Sequence, residues 1–163
     1  MRKTVITFFA CLLCTVLFGQ NDSLPVYKRF PTLPPLDIIR LPDSSHFRKA
    51  DLQKRKATII MLFNPDCSHC QKATEELLAN AVLFEKAQII LVSSTPYAQI
   101  QKFYADYGIA THSNIVMGLD PSFFLGIFFK ITHFPSIFIY NKKGGFVKSI
   151  EGSFPVREIA ESL

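Results

Sequence analysis

Two cysteines stand three positions apart in Cys67-Ser68-His69-Cys70, inside the stretch FNPDCSHCQK at residues 63 to 72. An apolar run, Ile59 to Phe63, precedes them and a helix-like segment follows. Such a pair can serve as a staple, as metal ligands or as a redox reagent. The staple is the weakest of these, because closing a four-residue loop contributes only about 2 kcal/mol in the chain-entropy model, against about 3 for a fifteen-residue loop. A bond so local stabilises little but is easily made and broken. A closed zinc site needs four ligands, and a lone CxxC supplies two. Reversible thiol–disulfide chemistry is therefore the leading reading.

A cysteine at a helix N-terminus meets unpaired N–H groups and the positive end of the macrodipole, both of which favour an anion. At Cys67 a donating or protonated His69 acts in the same direction, and the neighbouring Asp66 acts against it.

The elements that position this pair begin after a leader. Arg2 and Lys3 give a positive start, Val5 to Phe18 is apolar but short for a membrane span, and Gly19 offers a small-residue exit before Asn21-Asp22. Residues 1–19 are read as a secretory signal peptide, with an uncleaved anchor as the competing outcome. A lipoprotein signal does not fit, since Cys14 follows Leu12-Leu13, and Cys11 would leave an apolar region of only a few residues. Removing 1–19 takes the formal charge from +5 to +3, through the loss of Arg2 and Lys3, and leaves two of the four cysteines, Cys67 and Cys70. All thiol chemistry of the mature chain then runs through that pair, in a compartment where disulfides persist.

About 144 residues remain, enough for one domain with one core, and thirteen of the chain's sixteen phenylalanines remain to help fill it. Lys54-Arg55-Lys56 is the densest basic cluster and is read as a solvated turn; no nucleic-acid surface is expected. Between Leu24 and Pro35 four prolines are expected to keep a lead-in segment, residues 20–35, extended and non-helical. Asp37 to Leu41 reads as a strand with Pro42 to Ser45 as its turn, and Ala50 to Lys54 as a helical turn. Continuous apolar runs at Ile59–Phe63, Ile89–Val92 and Ile137–Tyr140 mark strands covered on both faces. Ser68 to Lys86 carries a helical stripe. Thr95-Pro96 and Asp120-Pro121 place helix starts near 96 and 121, and Phe154-Pro155 opens a last helix reaching Leu163. Asn141 to Gly145 forms a hairpin turn joining Ile137–Tyr140 to Phe146–Ile150. His46 and His112 fall in turn or loop contexts.

A CxxC between a buried strand and a helix, followed by a βαβ unit and by Phe134-Pro135 before a hairpin, resembles the thioredoxin fold. The lead-in LDIIRLPDSSHFRKADLQKRKATIIMLF is similar to that of secreted thioredoxin-like proteins of the TlpA/ResA type, and the resemblance covers residues 33 to 163. It implies an α/β, thioredoxin-like domain over 36–163, with a mixed central sheet flanked by helices and the CxxC at the N-terminus of the first main helix. It implies an exposed attacking Cys67, a buried resolving Cys70, and a cis Pro135 beside them. The backbone of Phe134 would be open to a substrate strand.

The resemblance has departures. Asp66 stands where thioredoxins carry an aromatic residue, Met61 where they bury an acid, and Ala73 where ResA-like proteins often place a glutamate; Glu75 and Glu76 read as solvent-facing charges. A histidine before the second cysteine is similar to DsbA-type oxidants, but about 64 residues between Cys70 and Pro135 leave no room for their helical insertion.

The expected activity is extracytoplasmic thiol–disulfide exchange, in the periplasm or outside the cell, with the reductant direction slightly favoured. The expected partners are protein thiols or disulfides and an upstream thiol–disulfide donor or acceptor. Membrane association is expected only if the leader stays attached, and no cofactor is expected. The alternative is a copper or zinc carrier using Cys67 and Cys70, with or without His133, although secreted copper chaperones on this fold use a CxxxC spacing.

Overall fold

A computed structural model of the chain describes residues 24–152 and 155–163. The leader at 1–19, the first four residues of the lead-in and Phe154 lie outside the described residues.

The strongest apolar runs form the middle of the sheet. Strands β3 (Ala57–Leu62), β4 (Ala87–Ser93) and β6 (Ser136–Tyr140) are buried at every position. With β1 (Asp37–Arg40), β2 (His46–Arg48), β5 (Ile115–Leu119) and β7 (Phe146–Glu151) they make a seven-stranded sheet in the order β2-β1-β5-β4-β3-β6-β7. Neighbours β3/β4 and β4/β5 are parallel and the remaining pairs antiparallel. The sheet is mixed, as expected.

Alternation along each strand divides the core. Ile59, Met61, Ile89, Leu91, Ile137 and Ile139 face helices α2 (Ser68–Ala79), α3 (Tyr97–Asp106) and α5 (Val156–Ala160). Ile60, Leu62, Ile90, Val92, Phe138 and Tyr140 face the opposite layer, built from α1 (Val26–Arg29) and α4 (Phe124–Phe129). Each fully buried aliphatic side chain contributes about 1.5–3 kcal/mol. Both faces are thus paid for by one short set of strands.

Helix α1 corrects the expectation of a non-helical lead-in. Pro25 occupies the N-cap, where a missing N–H costs nothing, so the following residues are free to turn. Tyr27 holds that turn by packing edge-on against Phe129, Phe138 and Phe146 at 5.2–5.7 Å between ring centroids. Past it, Pro31 and Gly144 carbonyls accept the Phe146 and Leu33 N–H groups at 2.9 and 3.0 Å, so the segment runs along the hairpin.

Strand β2 corrects the loop reading of His46, whose Nδ1 lies 2.7 Å from Asp37 Oδ1 across the β1–β2 pair. Helix α2 stops at Ala79 rather than Lys86, where the Asn80 side chain donates to the Glu76 carbonyl at 2.8 Å, and Ala81–Phe84 continues as a 3-10 turn. Helix α3 begins one residue past Pro96, and the Thr95 hydroxyl meets Ser93 Oγ at 3.0 Å instead of capping. Helix α4 begins at Phe124, three residues later than expected, because Phe123 takes a left-handed φ of 54°. The Asp120 carboxylate still accepts an N–H of that helix, from Leu125 at 2.8 Å. Helix α5 ends at Ala160, short of Leu163.

Candidate active site

Strand β3 delivers the chain to the cysteines through a turn that its own side chains hold. Asn64 Oδ1 accepts the Asp66 N–H at 2.9 Å, and the Asn64 carbonyl accepts the Cys67 N–H at 3.1 Å. This is the local bonding by which asparagine mimics a backbone turn. From the helix side, Gln71 Nε2 donates to the Pro65 carbonyl at 2.9 Å. The motif loop is tied at both ends.

Cys67 is the N-cap of α2, and its sulfur accepts the Cys70 N–H at 3.4 Å, satisfying one of the donors a helix start leaves open. The two cysteines differ sharply in environment. Cys67 is half-buried, whereas Cys70 has no exposed surface and lies in the core with Met61, Ala73 and Ile137. Burial pushes the Cys70 thiol up to about 12; a hydrogen bond from the Asn64 backbone opposes this, and the Cys67 side chain adds to it. Thr74, also buried, donates its hydroxyl to the Cys70 carbonyl at 2.9 Å.

The opposite wall comes from the loop before β6. The Phe134–Pro135 bond is cis, Pro135 is buried and Phe134 half-buried. The Phe134 carbonyl lies 3.9 Å from Cys67 Sγ, so the Cys67 thiol donates a weak hydrogen bond to it. His69, Ser68 and Asp66 are exposed around the half-buried sulfur. Beside them a recess of about 330 Å³ is lined by Pro65, Asp66, Gln71, Phe103 and Tyr107.

A CxxC held in this way, at the end of a parallel strand with a cis-proline loop across from it, invites comparison with solved structures. No family profile and no curated protein matches the sequence. A secreted Mycobacterium tuberculosis disulfide oxidoreductase, described as homologous to E. coli DsbE, aligns with TM-score 0.66 and 14% identity, over 78% of this chain and 93% of that one. StoA from Bacillus subtilis gives 0.58 and 19%, over 80% and 98%. The exposed lipoprotein thioredoxin Etrx1 of Streptococcus pneumoniae gives 0.60 and 19%, over 80% and 100%. The chain has a thioredoxin-like fold. Identities this low carry the fold and not the activity, which has to be argued from the site.

Within the thioredoxin-like fold, Cys67 lies within reach of Cys70 and of the Phe134 carbonyl, and the cis bond joins Phe134 to Pro135. His133 does not join them as a ligand. It is 74% exposed, with Nδ1 at 2.9 Å from Thr132 Oγ1 and 3.7 Å from Glu151 Oε2. Among the described residues no three or more His, Cys, Asp or Glu side chains are grouped to hold a metal ion. Met61 is fully buried, Ala73 is buried, Glu75 is exposed and Glu76 half-buried.

Asn64, Gln71 and Thr74 support the site without having been singled out in the sequence. The Asn64-Pro65 dipeptide is a turn signal that could have found the first. Gln71 and Thr74 carry no such mark, being ordinary helix residues until the backbone is seen.

Proposed function

We propose that this chain is an extracytoplasmic thiol–disulfide oxidoreductase that reduces protein disulfides through Cys67 and Cys70. The observation that carries the reading is the asymmetry of the pair. One sulfur is half-exposed at a helix N-terminus and 3.9 Å from the Phe134 carbonyl, and the other is buried behind it.

The Cys67 thiolate attacks one sulfur of a substrate disulfide, forming a mixed disulfide and releasing the first substrate thiolate. Cys70 then gives up its proton and attacks the Cys67 sulfur, releasing the second thiolate. The substrate gains two electrons and two protons, and the chain is left with a Cys67–Cys70 disulfide. An upstream dithiol must restore the pair. Burial keeps the Cys70 thiol protonated, which leaves Cys67 as the sulfur that attacks first.

Phe134 and Pro135 frame the groove for an extended substrate segment, and His69 tunes the Cys67 thiolate. The extracytoplasmic setting rests on the leader at 1–19 and on the secreted and surface-exposed description of similar structures. We place the catalytic domain at 36–163, with 20–35 as its lead-in. No donor set supports the metal-carrier alternative among the described residues.

Replacing Cys70 by Ser removes the resolving thiol, so mixed disulfides through Cys67 are expected to accumulate on non-reducing gels when the variant meets disulfide-bonded protein. They should vanish in a Cys67→Ser/Cys70→Ser chain. Absence of any trapped species from the single variant would overturn the proposal.

A further inference from the structure

The chain's densest basic cluster lies at the other end of β3 from the cysteines. Lys54-Arg55-Lys56 precedes the N-terminal end of β3, whereas Cys67 follows its C-terminal end. Strand β6 runs antiparallel to β3 with Tyr140 opposite Thr58, which sets Lys142 and Lys143 beside that basic turn. Lys49 reaches the same place, its Nζ donating to the Leu33 carbonyl at 2.6 Å. Together Lys49, Lys54, Arg55, Lys56, Lys142 and Lys143 line a recess of about 270 Å³ that no Asp or Glu enters. These six cations exceed the whole chain's formal excess of +5.

The recess is built rather than incidental. Its floor is Gln88, 4% exposed, whose Oε1 accepts the Gln53 N–H at 2.8 Å and whose Nε2 donates to the Gln53 carbonyl at 3.1 Å and to the Thr58 hydroxyl at 2.9 Å. That buried amide fixes the backbone leading into the basic turn. On the other side Asn141 Oδ1 accepts the Lys143 and Gly145 N–H groups at 2.9 and 3.0 Å. Arg55 holds a left-handed φ of 63°, a conformation that side-chain-bearing residues adopt at a cost and that clusters at binding sites.

Cations that line one small recess repel one another, with salt screening the repulsion over about 8 Å. A polyvalent anion would relieve the repulsion, and a compact one would reach several cations at once. The lining carries no aromatic ring on which a nucleobase could stack. We propose that this recess is a binding site for a compact polyvalent phosphate, supplied by a soluble polyphosphate or by an anionic phospholipid headgroup. The proposal is independent of the redox reading, because the site lies at the other end of the sheet.

The test is calorimetric titration of the full chain, in non-ionic detergent, with inorganic tripolyphosphate. One-to-one binding that weakens as salt is raised is expected. Changing Lys54, Lys56, Lys142 and Lys143 to Gln should weaken it at least about tenfold, as expected from removing four unit charges beside a polyanion, with disulfide-exchange rates unchanged. Should that variant misfold by circular dichroism, Lys142→Gln/Lys143→Gln alone, in a turn held by Asn141 and the backbone, should still lower the affinity. Short-chain soluble phosphatidic acid binding more tightly than glycerol phosphate would identify a lipid source; equal binding would identify a soluble one. Failure of the wild-type chain to bind at millimolar tripolyphosphate would overturn the proposal. So would binding indifferent to the lysine changes, or tighter binding of a hexaglutamate peptide.

Discussion

The Cys70 thiol is out of water, and its proton has consequences for stability as well as for exchange. Its pKa rises from an ordinary 9.0 to about 12, mainly because burial disfavours the thiolate. Above pH 9 the unfolded reduced chain therefore releases a proton that the folded chain keeps. Folding stability is full below pH 9 and falls as pH rises toward 12, with a limiting slope of about 1.4 kcal/mol per pH unit. Burial raises the Tyr140 phenol in the same sense, so the contrast is with Cys70→Ala, which retains Tyr140. Denaturant unfolding of the reduced proteins from pH 8 to 11 should show a shallower alkaline decline in that variant; equal slopes would mean that Cys70 ionises freely in the fold. The pair itself was legible in the sequence, since residue type and spacing announce a CxxC. The burial of Cys70 was expected only through the family resemblance, because residue type and spacing do not set it: Met61 and Ile137 arrive from β3 and β6.

Among the elements, β1 and β5 meet at Gly118, which pairs with Arg40. A Cβ added at Gly118 would stand 2.6 Å from Ile38 Cδ1 and 3.0 Å from the Ile39 carbonyl oxygen, so a larger residue must push the buried Ile38 side chain aside. Gly118→Ala is expected to destabilise the chain by about 1–3 kcal/mol, as overpacking does, with mixed-disulfide formation by the folded fraction retained. An unchanged denaturation midpoint would show that β1 yields freely. The buried strands and the hairpin turn were readable because continuous apolar runs and Asn–Gly-type turns are local signals. The misses were non-local. Helix α1 exists through the docking of Tyr27 on three distant rings, and β2 through pairing with β1, where three residues carry too short a pattern to declare a strand. The start of α4 moved because Phe123 adopts a left-handed turn and takes the N-cap position, although the Asp120 carboxylate still accepts the Leu125 N–H.

At the scale of the whole molecule the sheet separates the cysteine pair from the basic recess. Cys67, Cys70 and Phe134 meet at the end of β3 from which α2 departs, and six cations gather at the end where β3 begins. The fold was legible from the order of strands and helices around the CxxC, whereas the basic recess was not: Lys54-Arg55-Lys56 reads as an ordinary turn until the β3–β6 register brings Lys142 and Lys143 beside it. The proposed redox function makes one demand on the molecule as a whole, that Cys67 and Cys70 interconvert between dithiol and disulfide without unfolding. Equilibration of the full chain with dithiothreitol or glutathione buffers, read by thiol alkylation and mass spectrometry, measures this directly. A single two-electron transition is expected, on the reducing side of the range between about −270 mV for thioredoxin and about −120 mV for DsbA. Cysteines that stay reduced across all the buffers, or that oxidise only between molecules, would contradict the assignment of the pair as the redox centre.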